Sequence, residues 1–278
     1  MTFRAALLQI TSSDDPAQNL TTVMAMLREA KAKGADFALT PEVTNCVSTS
    51  RSHQNAVLCL EEQDPMLSGL RALCRELELW LLIGSLGLKT SDPDGRFANR
   101  SILIDAQGQI VARYDKIHMF DVDVTPEETY RESDGYRPGA EAVVAETPFG
   151  KVGMTICYDV RFPYLHRSLA KAGAEILTVP AAFSHVTGAA HWEVLLRARA
   201  IETGCFVIAP AQTGQHDAVR GQSRRTHGHS MVVAPWGEVL ADAGTEVGIT
   251  YVDLDLNMVD KARRKVPALT HDREFGGP

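Results

Sequence analysis

The chain of 278 residues is 45% hydrophobic and 23% charged, the balance of an ordinary globular protein. Its net charge of −7 at pH 7 argues against a nucleic-acid-binding surface, which needs clustered Lys and Arg. The longest apolar run, residues 79–88, is about half as long as a membrane-spanning helix, and the N-terminus lacks the layout of a signal peptide. We therefore expect a cytoplasmic protein whose partners include neither a membrane nor a nucleic acid.

Strand and helix patterns alternate along the chain, which is typical of the α/β class. Alternating or continuous apolar runs predict strands at residues 4–10, 36–40, 80–87, 100–105, 109–114, 151–157, 175–179, 205–211, 229–234, 238–241 and 250–255. Helical spacing of apolar residues predicts helices at residues 18–33, 66–78, 164–172, 190–202 and 258–265.

No Ser- or Gly-rich linker divides the chain, so we predict a single domain over residues 1–278, with a core of about 4–255 and a C-terminal segment 256–278. The least regular stretch, residues 121–142, is interpreted as an ordered surface loop over the site. Residues 32–41 resemble residues 171–180, and each follows a strand and a helix. If this repeat is real, the fold has two similar strand–helix–strand halves.

The cysteines form neither a disulfide framework nor a zinc pattern. Their number is odd and none is spaced as Cys-x-x-Cys, so in a reducing compartment all are expected to be thiols. The ordinary role of each is that of a small buried hydrophobic residue. They are Cys46, Cys59, Cys74, Cys157 and Cys205.

Cys157 stands out because an apolar strand ends there and turns within a few residues into a helical pattern. This geometry exposes a thiol at a strand end beside a helix N-terminus. Lowering a thiol pKa by one unit needs about 1.4 kcal/mol, whereas a helix N-terminus supplies about 0.3–1 kcal/mol. A base or a cation must therefore lie nearby if Cys157 is a nucleophile; a buried strand-end cysteine without chemistry is the alternative.

Glu42 and Lys116 follow predicted strands upstream. A partly desolvated carboxylate at Glu42 could act as a general base, and a fixed ammonium at Lys116 could hold an oxyanion or favour a thiolate. Taken singly, Glu42 has the ordinary interpretation of an exposed loop acid, and Lys116 that of a solvated residue paired with Asp115.

Histidine is the commoner partner of a reactive thiol, and His118 and His166 lie near the key segments. His227 and His229 are two residues apart and could share a strand face as metal ligands, which leaves a Cys/His metalloprotein as an alternative. No third ligand with metal-site spacing is present, and the ordinary interpretation of each His is structural.

Taken together, three segments resemble the Glu-Lys-Cys signature of the nitrilase superfamily of carbon–nitrogen hydrolases. The match extends from about residue 4 to 273 and includes residues 190–202 and 228–237, which are most similar to the branch that acts on deaminated glutathione. The three segments are Pro41-Glu42, Asp115-Lys116-Ile117-His118 and Ile156-Cys157-Tyr158-Asp159-Val160-Arg161-Phe162-Pro163.

The resemblance implies a four-layer α-β-β-α sandwich, usually assembled as a homodimer or higher homo-oligomer through a helical layer. It also implies that Cys157 is the nucleophile, Glu42 the general base, and Lys116 the oxyanion stabiliser together with the backbone N–H of Tyr158. A second glutamate is common in the superfamily and matches Glu132; Glu127 and Glu128 fit less well. Substrate-wall candidates are Tyr158, Arg161 and Phe183, although Arg161 could equally form a structural ion pair.

These roles imply hydrolysis of a small carboxamide acid to a carboxylic acid and ammonia through a Cys157 thioester, without a metal or organic cofactor. Deaminated glutathione is the leading substrate. An omega-amidase acting on α-ketoglutaramate and an N-carbamoyl amidohydrolase are alternatives with the same fold. A catalytically silent binding protein on the same scaffold is the non-enzyme alternative.

Overall fold

The computed structural model describes residues 1–125 and 128–277. Within them the strands are β1 (Thr2–Gln9), β2 (Phe37–Leu39), β3 (Trp80–Leu88), β4 (Ala98–Ile104), β5 (Ile110–Asp115), β6 (Asp121–Thr125), β7 (Glu128–Arg131), β8 (Val143–Thr147), β9 (Gly150–Met154), β10 (Ile176–Thr178), β11 (Phe206–Ala209), β12 (Thr213–His216), β13 (Arg224–His227), β14 (Met231–Val233), β15 (Val239–Asp242) and β16 (Gly248–Asp255). The α-helices are α1 (Pro16–Ala32), α2 (Arg51–Val57), α3 (Pro65–Leu77), α4 (Pro163–Lys171), α5 (His185–Thr203) and α6 (Asn257–Lys265).

Two six-stranded sheets carry the fold. Their strand orders are β16-β1-β2-β3-β4-β5 and β8-β9-β10-β11-β14-β15. In each sheet three consecutive strands run parallel, β1-β2-β3 in one and β9-β10-β11 in the other, and antiparallel strands flank them. The two sheets therefore have the same topology, in agreement with the repeat between residues 32–41 and 171–180.

Side-chain alternation along β1 shows how the layers form. Ala5 and Leu7 belong to the core shared with the second sheet, whereas Ala6 and Leu8 pack with α1 and α3. The opposite face of the second sheet packs against α4 and α5, which contribute Leu169 and other apolar residues to its core. Because strand residues alternate between two faces, each central strand must be apolar on both. The result is the predicted four-layer α-β-β-α sandwich.

The helices begin where the sequence provides caps. The Asp15 carboxylate accepts a hydrogen bond from the N–H of Ala17 at the start of α1, and Asp64 does the same for Leu67 in α3. Proline occupies the first position of both helices and of α4, where its missing N–H has no partner to lose. Among the described residues, none of these helices is both long and apolar enough to cross a bilayer.

Several regions differ from the sequence prediction. Helix α5 begins at His185 rather than at 190. Its first turn includes Gly188, which is required there because a Cβ would lie 2.3 Å from the His227 ring. The stretch 121–142 is more ordered than a plain loop: β6 and β7 form a hairpin there, followed by a single 3₁₀ turn at Glu132–Asp134. The short hairpin β12–β13 was also not predicted.

Candidate active site

The nucleophile candidate lies in a tight turn after β9. Cys157 begins a 3₁₀ turn, Cys157–Arg161, and its φ of 48° is in the left-handed region that non-glycine residues rarely adopt. The turn is fixed because the Cys157 N–H donates to the Pro180 carbonyl over 2.9 Å. Only 6% of Cys157 is exposed. Strained positions of this kind concentrate at functional sites, so the geometry supports the sequence interpretation.

Glu42, three residues after the end of β2, lies in the same region and is held on both carboxylate oxygens. Oε1 accepts from Lys116 Nζ over 2.9 Å and from Asn99 Nδ2 over 2.9 Å. Oε2 accepts from the backbone N–H of Ala182 over 2.8 Å. The side chain is therefore not the exposed loop acid that was its ordinary interpretation; it is buried and fully engaged.

Lys116, immediately after β5, lies between two carboxylates. Besides Glu42 it donates to Glu132, with Nζ–Oε2 and Nζ–Oε1 distances of 2.8 Å and 3.1 Å. Glu132 is itself fixed by the Phe120 N–H over 2.7 Å and by Asn99 Nδ2 over 3.2 Å. The ammonium is 2% exposed and does not pair with Asp115, which binds Arg100 instead.

The electrostatics follow from burial and from this ion cluster. Burial alone would raise the pKa of Glu42, but the charge and hydrogen bond of Lys116, with smaller contributions from Arg224 and the Ala182 N–H, lower it to about 2. Burial opposes the charged form of Lys116 too, yet Glu132 and Glu42 raise its pKa well above the ordinary value. Burial, and then the charge of Glu42, raise the pKa of the Cys157 thiol well above its ordinary range. The resting site is thus a carboxylate, an ammonium and a neutral thiol.

Asp159 connects the nucleophile turn to the lysine segment. This fully buried carboxylate accepts from the Ile156 N–H over 2.9 Å and from the Tyr114 hydroxyl over 2.6 Å. It also accepts from the His118 backbone N–H and lies 2.7 Å from His118 Nδ1. His118 therefore faces Asp159 and the exposed Tyr164, and its role is structural.

A cavity of about 630 Å³ opens over the cluster. Its walls include six of the seven predicted site residues: Glu42, Lys116, Glu132, Cys157, Tyr158 and Phe183.

The seventh predicted residue, Arg161, is not part of that wall. Its guanidinium lies 5.8 Å from the Tyr158 ring centre and 5.5 Å from that of Phe183, and it contacts His191. It therefore packs against the rings of two wall residues, and among the described residues it forms no ion pair with a carboxylate.

Sequence reasoning missed Asn99 and Arg224. Asn99, in β4, bridges Glu42 and Glu132; it precedes the predicted strand 100–105 and is followed by the polar residues Arg100 and Ser101, so no pattern singled it out. Arg224 begins β13 in a hairpin with no clear periodicity, so nothing in the sequence placed it at the site. Glu128 lines the cavity and accepts from the Ser184 and Tyr130 hydroxyls. Glu127 lies outside the described residues.

The histidines considered as metal ligands do not converge. The rings of His227 and His229 stack with centres 4.5 Å apart, and His229 Nδ1 is bound to Asp242 over 2.9 Å. Throughout residues 1–125 and 128–277, no group of three or more His, Cys, Asp or Glu is arranged to hold a metal ion.

Comparison with known proteins gives a consistent result. The family model described as carbon-nitrogen hydrolase matches residues 4–264. A deaminated glutathione amidase of Yersinia enterocolitica is 39% identical over 96% of this chain and 92% of its own length, and one from Homo sapiens is 41% identical over 96% and 81%. The crystal structure of the C. elegans NitFhit protein superposes with a TM-score of 0.89 at 35% identity over 98% of this chain, which spans only 65% of that protein. These findings confirm the resemblance to the nitrilase superfamily: the chain belongs to the carbon–nitrogen hydrolase family.

Proposed function

We propose that the protein is an amidase that hydrolyses deaminated glutathione through a thioester on Cys157. The observation that carries the proposal is the buried Glu42–Lys116–Glu132 cluster beside Cys157 at the floor of a cavity. A buried carboxylate, a fixed ammonium and a thiol are the base, oxyanion donor and nucleophile that acyl transfer requires. The relatives named above act, by their names, on deaminated glutathione.

In the acylation step, Sγ of Cys157 attacks the amide carbonyl carbon while Glu42 takes the thiol proton. The carbonyl oxygen becomes an oxyanion, which accepts hydrogen bonds from Lys116 Nζ and from the backbone N–H of Tyr158. Collapse of the intermediate breaks the C–N bond, and the departing nitrogen takes the proton from Glu42. The acyl group remains on sulfur as a thioester.

The pKa values explain why the oxyanion and the proton must move together. A carboxylate with a pKa of about 2 is a weak base toward a buried thiol. As charge develops on the substrate oxygen, however, that oxygen competes for the N–H groups of Lys116 that now hold Glu42. Loss of this hydrogen bond raises the basicity of Glu42 at the moment when it must accept the proton. Glu132 keeps Lys116 charged and in place throughout.

In the deacylation step, a water molecule gives a proton to Glu42 and its oxygen to the acyl carbon. The C–S bond breaks, the carboxylic acid leaves, and sulfur recovers a proton from Glu42.

For deaminated glutathione the leaving group of the first step is the amine of cysteinylglycine. Ammonia, the product expected from a primary carboxamide, is formed only with substrates such as α-ketoglutaramate.

The omega-amidase alternative differs only in this leaving group, because α-ketoglutaramate has the same acyl group. Release of α-ketoglutarate reports on both substrates and is the suitable assay, with ammonia and cysteinylglycine measured in parallel. We expect kcat/KM to be higher for deaminated glutathione than for α-ketoglutaramate or an N-carbamoyl amino acid. The reverse order would assign the omega-amidase or carbamoyl activity.

A silent scaffold gives a different result. No turnover of any of these amides, with Cys157 unreactive toward iodoacetamide, would overturn the hydrolase proposal. Reaction of Cys157 without turnover of the three substrates would instead reject deaminated glutathione and retain a reactive thiol.

We further propose a cytoplasmic homodimer that forms through the α5 layer. Helix α5 exposes Val194 and Ile201, which are 67% and 56% accessible, and Trp236 lies 50% accessible. All five cysteines lie within the described residues and are free thiols, which suits a reducing compartment. A mass near twice 30.3 kDa in light scattering is expected, and a monomer at all concentrations would reject the dimer.

A further inference from the structure

Arg224 is a half-buried arginine on the cavity wall that the proposed chemistry does not use. Its guanidinium donates to the Ala182 carbonyl and lies 5.3 Å from the centre of the Tyr130 ring. Its Nε is buried and has no hydrogen-bond partner, and among the described residues no Asp or Glu forms an ion pair with it. A half-buried guanidinium whose Nε is buried without a partner is costly unless a ligand supplies an acceptor.

Two other arginines around the cavity, Arg51 and Arg131, have partners. Arg51 donates to the Gly135 and Gly95 carbonyls and lies 3.7 Å from the centre of the Phe97 ring. Arg131 is paired with Asp123 over 2.8 Å. Glu128, the carboxylate on the Arg224 side of the cavity, is occupied by hydroxyl donors rather than by an arginine.

Arg224 is also close to the reacting groups. The Ala182 residue whose carbonyl it binds donates its own N–H to Glu42. The positive charge of Arg224 helps to lower the pKa of Glu42 and opposes the burial that raises the pKa of Cys157, so its charge is felt by both reacting groups.

We propose that Arg224 binds the carboxylate of the substrate's acyl group and so selects amides of dicarboxylic acids. A planar guanidinium is the preferred partner of a carboxylate, and the pair is directional as well as charged. The inference rests on the proposed function, because it names what the same site recognises in the acyl half of its substrate.

A matched pair of amides isolates this contact. Levulinamide has a methyl group where α-ketoglutaramate has a carboxylate, and the two are otherwise alike. We expect Arg224→Met to lower kcat/KM for α-ketoglutaramate and deaminated glutathione by roughly 10- to 100-fold, the scale of a charged hydrogen bond. Turnover of levulinamide should change less than about threefold, because levulinamide has no carboxylate for Arg224 to bind. Arg224→Lys, which keeps the charge and changes the shape, should fall between.

Arg220→Met is the control, because Arg220 is exposed, does not line the cavity, and its replacement removes the same net charge. It should leave the ratio of the acidic to the neutral amide unchanged. Equal losses for both amides in Arg224→Met would show a structural role and overturn the proposal. A loss confined to deaminated glutathione would assign Arg224 to the leaving-group carboxylate and overturn the acyl-side assignment. If the wild-type protein hydrolyses no amide, the proposed function fails, whereas a wild-type protein that hydrolyses both amides equally well rejects this inference alone.

Discussion

The two sheets share one topology but differ in the residues that lie just beyond their strand ends. The strand pairing sets the correspondence: Leu7 lies beside Leu39 in the first sheet, and Met154 lies beside Thr178 in the second. Leu7 and Met154 are therefore equivalent positions, and three residues further along the chain Ile10 is the equivalent of Cys157. Ile10 is an ordinary apolar residue, 3% exposed, whereas Cys157 occupies the left-handed turn.

The other groups of the candidate site are also divided between the two halves of the chain. The first half supplies Glu42 and Lys116, while the second half supplies Cys157 and the Ala182 N–H that fixes Glu42. Neither half holds a complete set, so the site exists only where the two sheets pack face to face. Equivalent strand ends of the two sheets thus carry different residues, which come together in one site where the sheets meet.

Replacing Cys157, which distinguishes the second half from the first, should have the largest effect. We expect Cys157→Ala to lower kcat by roughly 10⁵-fold or more, the scale seen when a protease nucleophile is removed. The fold should survive, since Ala and Cys are similarly strained at a φ of 48°. Steady-state kinetics with a thermal melt tests both statements. Cys59→Ala, a partly exposed thiol away from the cavity, is the control; residual activity near wild type in Cys157→Ala would place the nucleophile elsewhere.

The first half's contribution is tested by Glu42→Gln, which keeps shape and removes charge. We expect kcat to fall roughly 10³-fold, within the range for a lost general base. The pKa of Glu42 is lowered from 4.5 to about 2, so its ionised form stabilises the fold above pH 4.5 and that stability is lost as the pH falls from 4.5 to 2. Acid unfolding should therefore be shallower in the variant over that window.

Glu29→Gln, an exposed carboxylate of α1 paired with Lys33, is the matched control and should leave kcat unchanged. A Glu42→Gln enzyme with wild-type kcat would show that another group takes the thiol proton.

Much of this arrangement could be predicted from residue patterns. The central strands are apolar on both faces, so their positions were plain, and Glu42, Lys116 and Cys157 each come shortly after one of the predicted strands or end it. Asn99, Arg224 and the Asp159 contacts could not be predicted, because they depend on how two sheets and a hairpin meet across large sequence separations. Arg161 shows the same limit: it is only four positions from Cys157, yet it does not line the cavity and instead lies near the Tyr158 and Phe183 rings.

Asp159 joins the halves, and Asp159→Asn should weaken that joint. An amide offers one acceptor oxygen, so at least one of the Ile156, Tyr114 and His118 donors loses its partner. We expect a stability loss of about 1–3 kcal/mol for an unsatisfied buried group and a fall in kcat of roughly 10- to 100-fold as Cys157 and Lys116 lose registration.

As a positioning residue, Asp159 should affect kcat while KM changes little, and the rate of Cys157 alkylation should fall in parallel. Tyr164→Phe removes a bond at the exposed end of the same chain of contacts and is the control. Lower stability with unchanged kcat would reduce Asp159 to a purely structural role.

The smallest effect expected at pH 7 concerns a difference inside the helical layers. Leu39 of β2 and Thr178 of β10 are equivalent positions in the two sheets. Twelve residues before them lie Leu27 of α1 and His166 of α4, and both are 0% exposed. His166 Nδ1 donates to the Phe162 carbonyl over 3.1 Å, while its Nε2 has no partner. Burial lowers the pKa of His166 from 6.5 to about 4, so the neutral ring stabilises the fold above pH 6.5. That stability is lost as the pH falls from 6.5 to 4, by an amount on the order of 3 kcal/mol.

His166→Leu should make the second half resemble the first. At pH 7 we expect a change within about 1 kcal/mol, since a buried apolar side chain replaces one hydrogen bond. At pH 4 the variant should be the more stable protein, although His216, whose pKa is also lowered to about 4 by burial, keeps part of the acid sensitivity. Denaturant unfolding at pH 7, 5.5 and 4 measures this, with the exposed His271→Gln as control. Below pH 6.5 the His166 side chain gains a proton in the unfolded chain but not in the folded protein, so the wild type should lose stability relative to His166→Leu. Parallel curves of stability against pH for the two proteins would show that His166 does not cause the loss of stability in acid.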